Sequence, residues 1–269
     1  MALLHGLRAP RAPVPGFDVA GVVVAVGPDV TRVAPGDEVF GIGRGSFAEL
    51  TAASEDKLAV KPPSLTFEQA AAMPISGLTA LRGLCDVGRL RAGQHVLIIG
   101  ASGGVGTHAV QIAKALGAEV TGVCSTSKLD LVRSIGADHV VDCTREDFAD
   151  GGKTYDLILD IAGNASLARL RRALTPAGTL VIAGGEGGGR WLGGNDRQLR
   201  ALALSPFVGH RLTMFACKEH FSGLARLTGL VEDGRLVPVI ERTFALSDMP
   251  QAMRHLESGQ ARGKLVITP

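Results

Sequence analysis

The stretch that decides the fold is His95–Gly106, HVLIIGASGGVG. Its first five residues, His95–Ile99, are largely apolar and predict a buried strand, and a glycine-rich turn follows them. Beyond the turn, Gly106–Leu116 carries apolar residues at helical spacing. A strand that runs through such a turn into a helix directs free backbone N–H groups and the positive end of the helix dipole at an anion. The pattern predicts a phosphate site; a tight turn without a ligand is the alternative.

Strands and helices alternate regularly around this stretch. The strands are rich in Val, Ile and Leu throughout their length, which indicates burial on both faces. Such alternation predicts an α/β fold with a doubly wound parallel sheet, the Rossmann architecture. The predicted strands are His95–Ile99, Glu119–Cys124, His139–Asp142, Asp156–Ile161 and Thr179–Ala183, and the predicted helices are Gly106–Leu116, Lys128–Ile135 and Leu167–Leu174.

The segment before this region has a different composition, rich in Val and Gly and poor in helix formers. Val19–Val26, VAGVVVAV, predicts a buried strand, and Glu38–Phe40 and Phe47–Ala52 predict shorter ones. Thr66 or Ser64 is placed to cap the helix that follows. We therefore expect a small β structure in addition to the parallel sheet.

Composition excludes several classes of protein. The 269 residues include 28 basic and 26 acidic ones, a formal net charge of +2 without a basic stripe, so we expect no nucleic-acid partner. No apolar run approaches the roughly 20 residues that span a bilayer, and no secretory signal is visible, so we expect no membrane association. The four cysteines show no C-x-x-C spacing, which argues against a disulfide framework or zinc knuckle and favours a cytoplasmic protein.

The residues after the strand Glu119–Cys124 bear on the choice of dinucleotide. NAD-binding folds usually carry an acidic residue there, about 20 residues beyond the glycine turn, to hold the ribose 2′-OH. Here Ser125–Lys128 reads STSK, and no acid occurs before Asp130. Hydroxyl groups and a lysine suit a 2′-phosphate, so NADP(H) is favoured over NAD(H). Alternatively, or in addition, Ser127 caps the next helix, with Asp130 completing a capping box.

With these residues in view, the chain resembles the medium-chain dehydrogenase/reductase superfamily, in particular its zinc-independent quinone oxidoreductase-like, or NAD(P)-dependent alcohol dehydrogenase-like, branch. The resemblance implies a Rossmann NAD(P)-binding domain over 75–233 and a GroES-like substrate domain formed by both chain ends, 1–74 and 234–269. The motifs that carry it are PGFDVAGVVVAVG (Pro15–Gly27), PGDEVFG (Pro35–Gly41), GASGGVGTHAVQIAK (Gly100–Lys114), RSIGADHVVD (Arg133–Asp142) and ARGKLVIT (Ala261–Thr268).

The resemblance also implies which residues contact the cofactor. Two of these, Ser125 and Lys128, would meet the 2′-phosphate, and Gly163 and Gly184 would face the nicotinamide half. The pyrophosphate would be lined by Ser102, Gly103, Gly104, Val105 and Gly106.

Three further contacts follow from the same resemblance. Thr79 and Arg262 would also touch the cofactor, although a solvated charge at a helix end is nearly as good an interpretation of Arg262. Cys143 stands near the adenine where relatives usually have tyrosine, so stacking area would be lost there. The alternatives for Cys143 are a packed, inert thiol or a reactive one.

A zinc site is not expected. Zinc-dependent members of the superfamily carry Gly-His-Glu where this chain has Gly16-Phe17-Asp18, and no cysteine-rich lobe is present. Without a metal to polarise an alcohol oxygen, the resemblance implies an NADPH-dependent oxidoreductase that transfers hydride to a quinone, an enone or a small carbonyl compound. It also implies a homodimer.

Relatives begin with additional strands before the first motif, in the stretch that carries their substrate-orienting polar residues. We therefore expect the GroES-like domain to be N-terminally incomplete, and we assign no catalytic residues. The alternative function is a catalytically silent NADPH-binding protein or remnant. The glycine-dense segment Gly185–Asn195 holds the single tryptophan, Trp191, and either covers the active site or forms a surface loop.

Overall fold

The computed structural model of the chain describes residues 14–163, 165–184, 196–215 and 220–269. The chain divides into two units, Met1–Leu78 with Lys218–Pro269, and Thr79–Cys217. These limits differ from the predicted domain limits, 1–74 with 234–269 and 75–233, which stay a prediction. The predicted role of Trp191 lies outside the described residues. Within the described ranges, no helix combines the length and the apolar character that crossing a bilayer requires.

The described residues contain the following regular elements. The strands are β1 (Asp18–Val22), β2 (Glu38–Arg44), β3 (Ala52–Val60), β4 (His95–Ile99), β5 (Glu119–Cys124), β6 (His139–Asp142), β7 (Tyr155–Asp160), β8 (Leu174–Ile182), β9 (Arg211–Met214), β10 (Ile240–Ala245) and β11 (Lys264–Thr268). The α-helices are α1 (Phe67–Ala71), α2 (Pro74–Leu81), α3 (Gly104–Ala115), α4 (Leu129–Ser134), α5 (Leu167–Arg172), α6 (Asp196–Leu204), α7 (Phe221–Glu232) and α8 (Met249–Glu257).

The unit Thr79–Cys217 contains one parallel sheet of six strands in the order β6-β5-β4-β7-β8-β9. Counted within the unit this order is 3-2-1-4-5-6, that of a doubly wound dinucleotide-binding fold. It confirms the predicted fold class. Strand β4 pairs with β5 on one side and with β7 on the other, and the direction of winding reverses between β4 and β7. In open α/β sheets, ligands bind at the carboxyl ends of the strands beside such a reversal.

Burial and helix termination explain why the sequence forms these elements. Leu97, Ile158 and Leu180, from three adjacent central strands, have no exposed surface, as continuous apolar strands require. Gly117 follows α3 with a φ of 79°, and its N–H donates to the Lys114 carbonyl. Only glycine adopts this left-handed conformation at little cost, so the helix ends where the sequence predicted.

The other unit contains a three-stranded antiparallel sheet, β1-β2-β3, and a parallel pair, β10-β11. Helix α1 begins at a capping box in which the Thr66 hydroxyl accepts from the Gln69 N–H and the Gln69 side chain accepts from the Thr66 N–H. Of the two predicted caps, Thr66 and Ser64, the structure therefore selects Thr66.

Two predicted strands in this unit are wrong. The strand over Val19–Val26 ends at Val22, and Val24 beyond it is 69% exposed. The strand predicted over Phe47–Ala52 is a series of bends. There the Phe47 N–H donates to the Pro15 carbonyl and Gly45 has a φ of 70°, which takes the chain out of the sheet until β3.

Candidate functional site

The turn after β4 is folded tightly against the helix that follows it. Gly100 has a φ of 90°, and its N–H and that of Ala101 both donate to the Val123 carbonyl, at 3.1 and 3.0 Å. A Cβ on Gly106 would lie 2.1 Å from the Gly100 carbonyl oxygen, so α3 can approach the turn only because Gly106 has no side chain. The glycines of the motif therefore bring the start of α3 directly onto the end of β4.

The start of α3 presents backbone donors that no side chain covers. Gly103 is the N-cap and makes no side-chain capping bond, and the first turn of this 12-residue helix contains no acidic residue. The N–H groups of a first helical turn have no acceptor within the helix. Ser102 is buried next to them. The structure thus gathers Ser102, Gly103, Gly104, Val105 and Gly106 into one turn that suits an anion.

Two other loops extend this surface, the loop after β7 against the turn and the loop after β8 against the loop after β7. A Cβ on Gly100 would lie 3.2 Å from the Ala162 nitrogen, in the loop after β7. A Cβ on Gly184, after β8, would lie 1.7 Å from the Ile161 carbonyl oxygen, so that loop touches the loop after β7. The carboxyl ends of β4, β7 and β8 therefore form one surface, which includes the predicted Gly163 and Gly184.

The sequence analysis missed a buried ion pair at this surface. Asp160, the last residue of β7, has no exposed surface, and its Oδ2 lies 2.7 Å from Nη1 of Arg197 in α6. Burial raises the pKa of the Asp160 carboxyl above its usual range, and the Arg197 guanidinium opposes that rise. An aspartate at the end of an apolar strand and an arginine beyond Asn195 carry no shared sequence signal, so only the structure brings them together.

The residues after β5 form the adjacent part of the site. Ser125 and Lys128 are half-buried and lie at the two ends of a 3-10 turn in which the Lys128 N–H donates to the Ser125 carbonyl at 2.9 Å. Ser127 is exposed, and α4 begins at Leu129, with Lys128 as an N-cap residue that makes no side-chain capping bond. The alternative of a Ser127–Asp130 capping box is therefore wrong, because the 3-10 turn moves the start of α4 beyond Ser127.

Asp142, at the end of β6, holds this region together and was also missed. Its carboxylate accepts from the Thr126 hydroxyl at 2.5 Å and from the Thr144 hydroxyl at 2.7 Å. These hydrogen bonds keep the pKa of Asp142 below its usual range. The loops after β5 and β6 are thereby joined through one carboxylate.

The cysteines Cys124 and Cys143 lie beside each other at this edge. The Cys143 N–H donates to the Cys124 carbonyl at 2.9 Å, and Cys143 is exposed while Cys124 is buried. Burial raises the pKa of the Cys124 thiol to about 11. Cys143 therefore lies just after β6, next to the residues that follow β5.

Two further predicted contacts, Thr79 and Arg262, lie on other elements of the chain. Thr79 is half-buried in α2. Arg262 is exposed and belongs to the other unit, where its N–H donates to Oε2 of Glu241 at 2.8 Å.

The position where zinc dehydrogenases carry Gly-His-Glu has a different arrangement. Phe17 is 60% exposed. Asp18 accepts from the Ile75 N–H through Oδ1 at 2.8 Å and pairs with Lys264 through Oδ2 at 2.7 Å. Across the parts of the chain that the structure describes, no group of three or more His, Cys, Asp and Glu residues is arranged to hold a metal ion.

Two family models match the chain: an alcohol dehydrogenase GroES-like domain over residues 2–63 and a zinc-binding dehydrogenase over residues 135–267. The chain is 38% identical to the mouse (Mus musculus) NAD(P)H oxidoreductase RTN4IP1, mitochondrial, over 94% of the chain and 69% of that protein. The chain belongs to the medium-chain dehydrogenase/reductase superfamily.

Further members of the superfamily resemble it along nearly its whole length. It is 34% identical to 2-methylene-furan-3-one reductase of Solanum lycopersicum over 97% of the chain, but spans only 65% of that protein. It spans 12% of the spectinabilin polyketide synthase system protein NorB of Streptomyces orinoci, with 38% identity over 94% of the chain. The solved quinone oxidoreductase from Coxiella burnetii matches with a TM-score of 0.87 and 29% identity, over 98% of this chain and 81% of that one.

Proposed function

We propose that this chain is an NADPH-dependent oxidoreductase that reduces a quinone, an enone or a small carbonyl compound. The observation that carries the proposal is the uncapped start of α3 at the reversal point of a 3-2-1-4-5-6 sheet. The names of the relatives support it, since they include an NAD(P)H oxidoreductase, a furanone reductase and a quinone oxidoreductase. A mycobacterial relative in complex with NADPH has the same fold, with a TM-score of 0.82 and 27% identity over 94% of the chain.

The residues at the strand ends fit a dinucleotide. Among the described residues, a Cβ on Gly103 would come no nearer than 3.7 Å to the rest of the chain, so a pyrophosphate can approach the backbone there. Ser102 and the N–H groups of Gly104, Val105 and Gly106 would hold the pyrophosphate, and Gly163 and Gly184 would face the nicotinamide half. When bound, NADPH supplies the hydride; this chain binds and orients it.

NADPH is preferred over NADH in this proposal. Ser125 and Lys128 flank one short turn after β5, where a hydroxyl and an ammonium suit a 2′-phosphate. The carboxylate at this edge, Asp142, is buried and accepts from Thr126 and Thr144. Its charge is thus already stabilised by hydrogen bonds from the protein.

Zinc independence is the second element of the proposal. Phe17 has no group that binds a metal, and both carboxylate oxygens of Asp18 are engaged, one by a backbone N–H and the other by Lys264. The remaining elements rest on the superfamily resemblance and on composition: contacts from Thr79, Arg262 and Cys143, a homodimer, a cytoplasmic location and domain limits near 74/75 and 233/234. No residue is assigned to proton transfer.

The test separates binding from turnover. Calorimetric titration of the purified chain with NADP⁺ and NAD⁺ measures cofactor choice, and NADPH oxidation is followed with 1,2-naphthoquinone, methyl vinyl ketone and benzaldehyde. We expect tighter binding of NADP⁺, turnover with at least one acceptor, and no zinc by elemental analysis. Binding without turnover would favour the silent NADPH-binding alternative, and failure to bind either dinucleotide contradicts the proposal.

A further inference from the structure

The ion pair between Asp160 and Arg197 is buried where charge is costly. Asp160 has no exposed surface, the Arg197 side chain is 15% exposed, and Oδ2 lies 2.7 Å from Nη1. Removing two charges from water costs several kcal/mol per ion, and apolar residues of similar volume often stabilise a fold equally well. Stability by itself therefore does not account for an ion pair at the carboxyl end of β7.

Both members of the pair hold backbone groups of the two loops that flank it. Asp160 Oδ1 accepts from the Gly163 N–H at 3.1 Å, and the Asp160 carbonyl accepts from the N–H groups of Ala183 and Gly184 at 2.9 and 3.2 Å. Arg197 Nη1 donates to the Ala165 carbonyl at 2.8 Å, and Nη2 donates to the Gly184 carbonyl at 3.4 Å. The loops after β7 and β8 are thus tied to one pair of side chains.

The glycines of these two loops contribute no side chains that could hold the loops in place. Gly163 has a φ of 78° and no side chain, and Gly184 lies so close to the Ile161 carbonyl that no side chain fits. A guanidinium presents donors in a rigid planar fork, so it can hold two carbonyl groups in a defined geometry, which a lysine cannot do. Neither Asp160 nor Arg197 belongs to the glycine turn or to the residues after β5.

We propose that Asp160 and Arg197 are positioning residues for the nicotinamide half of the cofactor. They hold the loops that carry Gly163 and Gly184 and do not act on the adenosine or its 2′-phosphate. This inference rests on the proposed function. It adds two residues that act on the cofactor through the backbone of the loops that carry Gly163 and Gly184.

Two probes distinguish the halves of the cofactor. NADP⁺ contains both, whereas 2′,5′-ADP carries the adenosine and the 2′-phosphate without the nicotinamide. Titration calorimetry on the full chain compares the wild type with Arg197→Lys, which keeps the charge but loses the fork, and with Asp160→Asn. We expect each variant to bind NADP⁺ about 10-fold more weakly, as for one lost charged hydrogen bond, and 2′,5′-ADP with unchanged affinity.

The matched control is Asp138→Asn, which removes the ion pair with Lys114, 2.8 Å long, before β6. It is expected to change neither affinity. Thermal unfolding shows which variants are folded. If Asp160→Asn does not fold, the affinities of Arg197→Lys alone test the positioning role. Equal losses for both probes, or no loss for either, would overturn the positioning role. A wild type that binds neither probe would instead refute the proposed function.

Discussion

Gly106 lies against Gly100 with no room for a side chain, since a Cβ on Gly106 would stand 2.1 Å from the Gly100 carbonyl oxygen and 2.6 Å from the Ala101 carbonyl carbon. Both neighbours are backbone atoms, which cannot swing aside as a side chain can. The contact sets how closely α3 approaches β4, and with it the position of the N–H groups that face the proposed pyrophosphate.

Gly106→Ala is expected to lower the free energy of unfolding by about 1–3 kcal/mol, the usual cost of overpacking, and to weaken NADP⁺ binding. The matched control is Gly229→Ala within α7, where a Cβ meets nothing within 4 Å. It should raise the free energy of unfolding by about 0.4–1 kcal/mol because the unfolded chain loses freedom. Urea unfolding measures both, and a Gly106→Ala variant as stable as the wild type would contradict the packing argument.

Lys128→Ala is expected to weaken NADPH binding by about 10-fold or more, the worth of one charged hydrogen bond, and to leave NADH binding unchanged. The reason is that only NADPH carries the 2′-phosphate proposed to lie beside Ser125 and Lys128. Lys153→Ala, an exposed lysine between β6 and β7, is the charge-matched control. Fluorescence titration with each dinucleotide measures the effect, and equal losses for both dinucleotides would remove the phosphate assignment.

Stability in alkaline solution should depend on Cys124. Its pKa is raised from the ordinary 9.0 to about 11 by burial, so the folded state favours the protonated thiol. The resulting stabilisation is complete below pH 9 and is lost as the pH rises towards 11. Burial also raises the pKa of Tyr155, so the wild type is compared with Cys124→Ala across this range. The difference in free energy of unfolding between them should shrink with rising pH; a constant difference would show that Cys124 does not contribute.

The two candidate helix caps should respond differently to alanine. Thr66→Ala removes the capping box of α1 and is expected to cost about 1 kcal/mol of stability. Ser127→Ala should change stability by less than about 0.5 kcal/mol, because Ser127 is exposed and caps no helix. Thermal unfolding of both variants gives the comparison. A loss of stability for Ser127→Ala as large as that for Thr66→Ala would indicate that Ser127 caps α4 and would contradict the structure.

The alternating region was predictable because its signals are local. Continuous apolar strands, the glycines after α3 and α4 and the turn Gly100–Gly106 specify their structure within a few residues and appear as predicted. The helix predicted over Leu167–Leu174 was wrong at its end, because it stops at Arg172 and Leu174 already belongs to β8. The strand predicted over the valine tract 19–26 is too long because a run of β-branched residues has the same sequence pattern whether it is covered by another element or exposed. The 3-10 turn at Thr126–Lys128 likewise displaced a helix start that the capping pattern alone placed at Ser127.

By itself, the sequence determined the alternation of strands and helices in the parallel-sheet unit, the glycine turn and the superfamily, since each depends on motifs of residues close together in the chain. Only the tertiary structure decided which strand ends meet and which buried side chains pair there. Thr126 and Asp142 become neighbours because parallel strands bring their carboxyl ends to one edge of the sheet, and Asp160 lies at the same edge, where α6 places Arg197 beside it. The sequence around either partner contains no information about the other. The free-energy cost of burying each charged side chain is offset only when the assembled sheet brings its partner next to it.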